Sequence, residues 1–528
     1  MSTVDPITSE IIKSSLLYAS EEMGIAVRNS AYSPNIKERL DHSCALFDAR
    51  GRLVAQAEHI PVHLGSLPWG LRMTLDVLAA QKAPLQSGDM WVVNDPYISG
   101  THLNDVTVIR PIFACGVLSG FAANKAHHTD VGGSVPGSMS ADATELFAEG
   151  LIVPPIRLMK DDEVVFDTLA VFRANSRTPK ARSGDLKAQI AGNITGERRL
   201  LELLHRYGRD VFEAAIERML DESERRMRWE LGALRQGTFH AVDFLEDAQG
   251  DPSIRIELEL TLRDGRATLD YHGTSEQTSS PLNAVYGVTL SGAYYALRAV
   301  SDPTIPMNEG CFRPIEVVVP AATLLNPCRP APVSGGNVET STRNADVVFQ
   351  ALAQAAPDRV PACSGGTMSN VMMGGVTDAG ESWAFYETNG CGMGARPGMD
   401  GIDGIQCHMT NTLNTPIEAV ERYYPLRITR YEFAENTGGV GRFRGGCGLI
   451  RALQLKEGTC RVSLLADRHA VNPPGSFGGE AAACGHHTLE HQEIGIALPA
   501  KTTVDISQGD SIIVQTPGGG GYGIRVAK

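Results

Sequence analysis

The stretch "NDPYISGTHLNDVTVI", residues 94–109, decides how the N-terminal part of this chain folds. Its first half is turn chemistry: Asn94, Asp95, Pro96, Ser99 and Gly100. From Val106 onward β-branched residues take over, as in a strand. "MWVVND" before it reads as a buried strand that delivers the loop. After it, "VTVIRPIFA" and "VLSGFAANKAH" flank Cys115-Gly116, which predicts an antiparallel hairpin over 106–127. Paired residues in such a hairpin have a constant sum. A two-residue turn at 115–116 makes the sum 231, and a three-residue turn at 115–117 makes it 232. Either way Asp105 falls opposite residue 126 or 127, and "KAHHTD" (125–130) arrives beside "THLND". His102, Asp105 and the pair His127/His128 therefore converge at one end of the hairpin. Neighbouring side chains of a strand point to opposite faces, so only one of the two histidines joins the others. A sum of 232 favours His127 and 231 favours His128; the arithmetic leaves both open.

Two imidazoles and a carboxylate make a first-row metal site, with zinc or manganese as the ion. Water bound at such an ion loses a proton near neutral pH and becomes a hydrolytic nucleophile. The competing reading makes the same residues polar hairpin ends bonded to backbone. HxxD is not a specific pattern, and the stronger HExxH is absent. Asp41, in "RLDHSCALF", is a further carboxylate candidate or a turn residue. "AEHIPVHLGS" (57–66) offers His59 and His63 for substrate contact or for loop packing. "VSGGNVETSTRNADVV" (333–348) sets Asn337, Glu339, Ser341 and Arg343 near a helix start, as an anion or substrate site or as a plain capped helix.

The 528 residues exceed one compact core and predict several domains. Lys+Arg at 47 against Asp+Glu at 61 gives a net charge of −14, which argues against nucleic acid or an anionic membrane as main partner. No CxxC occurs among ten cysteines, so zinc ribbons and thioredoxin-type redox motifs are excluded. No signal peptide and no membrane span is predicted, and the expected compartment is the cytoplasm. Glycine is plentiful, 55 residues, and clustered in runs such as "NGCGMGARPG", "TGGVGRFRGGCG" and "TPGGGGYG". These clusters predict tight loops that carry backbone close to something, or simply a loop-rich β domain. None has the context of a phosphate loop or a dinucleotide fingerprint.

Helices are expected over 5–31, beyond Pro68 in 65–81, over 182–235, 281–300 and 342–356. Asp5 is a ready cap for the first, and the dense charge of 182–235 reads as a solvated face. The fold class is mixed α+β, without the βαβα rhythm of a doubly wound sheet. Three units are expected: 1–235 with the metal site and a helical segment, 236–420 of mixed character, and 421–528, a glycine-rich β domain.

The segments "RLDHSCALFDARGRLVAQAEHIPVHLGS", "NDPYISGTHLNDVTVIRPIF", "KAHHTDVGG", "GNITGERRLLELLHRYG", "GGNVETSTRNADVV", "NTPIEAVERYYPLRI", "GGVGRFRGGCGLIR" and "TPGGGGYG" together resemble the hydantoinase B/oxoprolinase family. The resemblance implies one subunit of an ATP-dependent enzyme that opens hydantoin, 5-oxoproline or lactam rings. It implies that ATP and Mg are bound by a separate A-type ATPase subunit in an α2β2-type hetero-oligomer. More distantly, the chain is similar to the metal-bearing subunit of acetone-type carboxylases, which makes a carboxylase subunit the second reading. A non-catalytic scaffold for an ATPase partner is the third. Carried over position by position, the resemblance implies Asp41, His102, Asp105 and His127 as metal ligands. Asp105, His127 and His128 are then the expected catalytic residues, with His128 or Asp130 orienting a ligand or shuttling a proton. His42 stands where relatives commonly carry Phe, which would set a polar group beside the metal or change a substrate contact.

Overall fold

The computed structural model describes residues 4–57 and 59–525. Its N-terminal half is built on an antiparallel sheet of seven strands: β1 (His42–Asp48), β2 (Leu53–Gln56), β3 (Met90–Val93), β4 (Asp105–Ala114), β5 (Val117–His127), β6 (Ile156–Lys160) and β7 (Glu163–Val164). The spatial order is β2-β1-β5-β4-β3-β6-β7. Both faces are covered, which is why β1 is buried at all seven positions. Cys44, Leu46 and Ala122 pack on the apolar stripe Ile12, Leu16, Ala19, Met23 and Val27 of the helix Pro6–Ser30. Ala45, Phe47, Ile109, Phe121 and Ala123 face the other way, toward Leu64, Leu67 and Leu71. Asp5 caps the first helix as expected, accepting from the N–H of Ile7 and Thr8.

The hairpin forms with a two-residue turn. Cys115 (φ 52°) and Gly116 (φ 77°) are both left-handed, the requirement of a type I′ turn. At the tip Ala114 pairs Val117 and Phe113 pairs Leu118, a sum of 231. Beyond that the register shifts: Ile112 pairs Gly120 and Asp105 pairs His127, a sum of 232. Ser119 is the extra residue of this bulge. Both sums occur in one hairpin, and the bulge selects 232 at the end that matters.

Three expected helices differ in detail, and the one expected over 281–300 begins only at Tyr286. The helix at 65–81 begins earlier, as His63–Ala80, and carries Pro68 inside it. The lost hydrogen bond at Pro68 is offset because this helix buries Leu64, Leu67 and Leu71 in the main core. The segment 182–235 is two helices, Pro179–Tyr207 and Arg209–Ala233, broken at Gly208 with φ 78° and ψ 155°. Their exposed sides carry i,i+4 pairs such as Arg209–Glu213 and Glu224–Arg228.

The chain then forms β8 (Gly237–Leu245), β9 (Ile254–Arg263), β10 (Arg266–Asp270) and β11 (Ile315–Val318), a sheet in the order β11-β10-β9-β8. Burial alternates along β8 from Thr238 onward and along the whole of β9. The inner face packs on the helices Tyr286–Ala299 and Ser341–Ala355. The later strands are β12 (Asn370–Val376), β13 (Ser382–Glu387), β14 (Leu426–Ala434), β15 (Gly448–Leu455), β16 (Thr459–Leu465), β17 (His486–His491), β18 (Ile494–Leu498), β19 (Lys501–Ser507) and β20 (Ser511–Gln515). They make two sheets, β13-β12-β16-β19 and β14-β15-β20-β17-β18, closed around Phe385, Val462, Leu464, Leu453, Ile512 and Val514. The first of these sheets joins strands from both sides of residues 420–421.

The glycine clusters approach one another. A Cβ on Gly392 would strike the backbone of Gly446 and Gly519, and one on Gly445 would strike Gly519. Backbone hydrogen bonds knit the same segments: Gly519 N–H to Gly446 O at 2.9 Å and Gly520 N–H to Cys363 O at 2.8 Å. What these loops approach is other glycine backbone, packed too closely for side chains. Among the described residues no helix is long and apolar enough to cross a membrane.

Candidate metal centre

The loop of the opening stretch is built to aim His102. Asn94 follows β3 and ties three loop segments together: its amide donates to Leu103 O (2.8 Å) and Leu151 O (2.9 Å), and its oxygen accepts from Val153 N–H (2.7 Å). Asp95 caps the short turn Pro96–Ser99. Gly100 then reverses the chain with φ 86°, where a Cβ would meet Trp69 and Ser66 O. Thr101 accepts a hydrogen bond from the Lys125 ammonium at 2.9 Å, which also donates to Ser99 O at 2.7 Å. Burial pulls Lys125 down to about 7, against the opposing pull of Asp105.

His102, Asp105 and His127 meet at the end of the hairpin, all fully buried. His102 Nε2 lies 3.1 Å from His127 Nδ1 and 3.2 Å from Asp105 Oδ1, and His127 Nδ1 lies 3.4 Å from the same oxygen. An ion about 2.1 Å from each ligand needs edges of roughly 3.0 Å in an octahedron and 3.4 Å in a tetrahedron. The observed triangle falls within that range, so these three donors fit a divalent first-row ion. Among the described residues, His102 Nδ1 and His127 Nε2 have no hydrogen-bond partner. Burial acts to raise Asp105, but the charges of His102 and His63 and hydrogen bonds from His102 and His127 outweigh it and hold the carboxyl well below its ordinary value. Burial lowers His127, opposed by its hydrogen bond to Asp105 and by Asp41. A neutral imidazole beside an ionised carboxylate is the protonation state that metal binding requires.

The other expected residues divide. Asp41 lines the same small cavity of about 20 Å³ as His63, Asp105, His127 and Asn337, but its carboxylate lies outside the tight triangle. Its backbone C=O accepts from His127 N–H at 3.0 Å. Asn337 faces the cavity from a π-helical turn, Gly336–Thr340, with its oxygen unpartnered among the described residues. His63 also lines this cavity, with its Nε2 3.3 Å from Asp105 Oδ2. His59 lies apart, 3.8 Å from Glu21 and packed on the ring of His42. His42 is on the opposite face of β1 from Asp41 and Ser43, so it is not beside the cluster; burial lowers it to about 3. His128 likewise points away. Its Nε2 is 3.0 Å from Gln189 Oε1 on the helix Pro179–Tyr207. Asp130 is spent on Arg177 and on the N–H groups of Gly132, Gly137 and Arg177. Arg343 is locked among Asp243, Asp467 and Phe244 O.

Sequence reasoning missed Tyr386, whose ring stacks on His127 at 4.5 Å and 14°. It also missed Ser43 and Lys125, although the period of two places both on the face of Asp41 and His127. Nothing local in the sequence ties Tyr386, from β13, to the hairpin.

The model of the family described as hydantoinase B/oxoprolinase matches residues 5–525. This chain belongs to that family. It is 47% identical over 98% of its length to an uncharacterized protein of Methanocaldococcus jannaschii, 91% of which is covered. It is 33% identical to a putative D-/L-hydantoinase chain of a Pseudomonas species, over 98% of this chain and 90% of that one. The family member 5-oxoprolinase 1 of Arabidopsis thaliana is 35% identical over 99% of this chain, which spans only 42% of that longer protein. Among solved structures, the ATP-dependent caprolactamase from Pseudomonas jessenii superposes with a TM-score of 0.92 at 30% identity, covering 99% of this chain and 92% of that one. An acetone carboxylase shares the fold, with a TM-score of 0.90 at 20% identity over 98% of this chain and 76% of that one.

Proposed function

We propose that this chain is the metal-bearing component of an ATP-dependent cyclic amidase. Its substrate is a hydantoin, 5-oxoproline or lactam-type ring, and ATP with Mg is bound by a separate A-type subunit in an α2β2-type assembly in the cytoplasm. The observation that carries the reading is the triangle of His102 Nε2, Asp105 Oδ1 and His127 Nδ1, with edges of 3.1–3.4 Å, in a chain that superposes on an ATP-dependent caprolactamase.

His102, Asp105 and His127 would hold a zinc or manganese ion, with Asp41 at the cavity wall as a fourth donor. When bound, the ion supplies Lewis acidity toward a carbonyl or a water. The remaining roles belong to the chain itself. Tyr386 fixes the plane of the His127 ring. Ile60, Val62, Val338, Met368 and Met409 give the cavity an apolar wall. Asn337 presents an unpartnered amide oxygen, an acceptor for the N–H of a cyclic amide. The cavity of about 20 Å³ holds no more than a water, so its walls must part to admit a ring. Amide resonance in an unstrained ring calls for prior activation, which phosphoryl transfer from ATP on the partner would provide.

The test is reconstitution with an A-type ATPase subunit against a panel of hydantoin, 5-oxoproline and caprolactam. Ring-opened acid formed with ADP, and abolished by Asp105→Asn while the complex stays intact, is the expected outcome. Turnover unaffected by Asp105→Asn would leave only the scaffold reading. Stoichiometric uptake of bicarbonate into product would instead favour the carboxylase reading, which the shared fold with acetone carboxylase supports.

A further inference from the structure

Asp105 is touched by three imidazoles, and only two of them belong to the metal triangle. Its Oδ1 faces His102 and His127, while its Oδ2 is 3.3 Å from His63 Nε2. The other nitrogen of His63, Nδ1, is 2.9 Å from Ser43 Oγ. That hydroxyl also accepts the N–H of Ile60 at 3.2 Å. His63, Ser43 and Asp105 are all buried. His63 opens the helix His63–Ala80, and Ser43 lies on β1, so two separate elements clamp the ring between them.

With the His63 ring neutral, the hydrogen-bond inventory permits one arrangement. A carboxylate only accepts, so the nitrogen facing Asp105 must carry the proton. Nδ1 of a neutral His63 is then a lone pair and needs a donor, and the Ser43 hydroxyl is the donor at hand. Ile60 N–H orients that hydroxyl by filling one of its acceptor positions. The relay therefore runs from Ile60 N–H to Ser43 Oγ, from Ser43 O–H to His63 Nδ1, and from His63 Nε2–H to Asp105 Oδ2. Its effect is to occupy one carboxylate oxygen and leave the other, Oδ1, turned toward His102 and His127.

We propose that His63, held in one tautomer by Ser43, is a positioning residue that presents Asp105 to the divalent ion through Oδ1 alone. The proposal rests on the metal reading given above. It assigns His63 neither to substrate nor to the ligand set: the ring lines the same cavity but lies outside the triangle of donors, with its Nε2 turned to Asp105 Oδ2. Ligating carboxylates held by a second hydrogen bond bind metal more tightly, and losing such a partner typically costs about 10- to 100-fold in affinity.

The experiment is titration of the full-length chain with Zn²⁺ and with Mn²⁺ against a chelating dye, without ATP, substrate or partner, alongside thermal unfolding with and without ion. His63→Ala is expected to weaken the ion by about 10- to 100-fold. His63→Gln, whose amide N–H reaches toward the same oxygen, is expected to restore most of that affinity. Ser43→Ala, which removes the tautomer lock without removing the ring, is expected to fall between wild type and His63→Ala. Rescue by glutamine separates positioning from packing, because a packing role would lower the metal-free melting temperature and leave the ion-induced increment unchanged. A folded His63→Ala chain that binds the ion as tightly as wild type overturns the proposal. So does a His63→Gln chain as weak as His63→Ala when both melt like wild type without metal. If His63→Ala does not fold, Ser43→Ala and His63→Gln decide, and wild-type affinity in Ser43→Ala counts against the relay. A wild-type chain that binds neither ion overturns the metal reading itself, a result distinct from all of these.

Discussion

His127→Ala and His128→Ala make the sharpest pair of perturbations, because the residues are adjacent in sequence and opposite in role. His127 Nδ1 supplies two of the three edges of the triangle, at 3.1 and 3.4 Å. His128 turns to Gln189 on the far face of the sheet. Binding free energies for structural zinc run to about 10–16 kcal/mol for four ligands, or roughly 3–4 kcal/mol per ligand. At about 1.4 kcal/mol per decade, His127→Ala should weaken the ion by roughly 10²- to 10³-fold. His128→Ala should keep wild-type affinity. Its cost falls on stability, because it leaves the Gln189 side chain short of a partner, at roughly 1–3 kcal/mol. Metal content by mass spectrometry after dialysis, followed by competition titration, reads the first effect; chemical denaturation without metal reads the second. Loss of metal in His128→Ala with retention in His127→Ala would mean that the hairpin keeps the 231 sum to its end and the bulge at Ser119 does not exist. Retention in both would refute the cluster as a metal site.

Glu339 is pushed up to about 8, first by burial and then by the nearby charge of Asp467, from an ordinary 4.5. A carboxyl raised on folding contributes stability that is whole below about pH 4.5 and is lost as pH rises toward 8, a difference of roughly 5 kcal/mol at most. Glu339→Gln should therefore flatten the melting temperature between pH 5 and 8; an unchanged slope would refute the assignment. Arg343→Met should destabilise by about 3–5 kcal/mol, because Asp243 and Asp467 stay buried without it, yet leave metal affinity intact; loss of metal would restore a functional role to Arg343. Gly392→Ala should cost about 1–3 kcal/mol or more through its clash with the backbone of Gly446 and Gly519, as read by denaturant midpoint. Gly380→Ala, left-handed at φ 82° with nothing within 4 Å, should cost only about 1 kcal/mol, and equal losses at the two positions would argue against close backbone packing.

Local rules carried the sequence a long way. The cap at Asp5, the stripe from Ile12 to Val27, the turn at Cys115-Gly116 and the hairpin that follows from it are all governed by sterics and periodicity within a few residues. These were enough to bring His102 and Asp105 to one end of a sheet beside His127 or His128. What the sequence could not decide was a single residue of register. The bulge at Ser119 exists because both faces of the sheet are buried, so packing on the helices at 6–30 and 63–80 dictates which side each side chain takes. The same packing sets His63 against Asp105, lays Tyr386 on His127 from a strand more than 250 residues away, and uses the glycine runs to pack backbone on backbone. Each of those contacts joins segments with no local relation, so only the tertiary structure, through close packing and the pairing of buried polar groups, decides them.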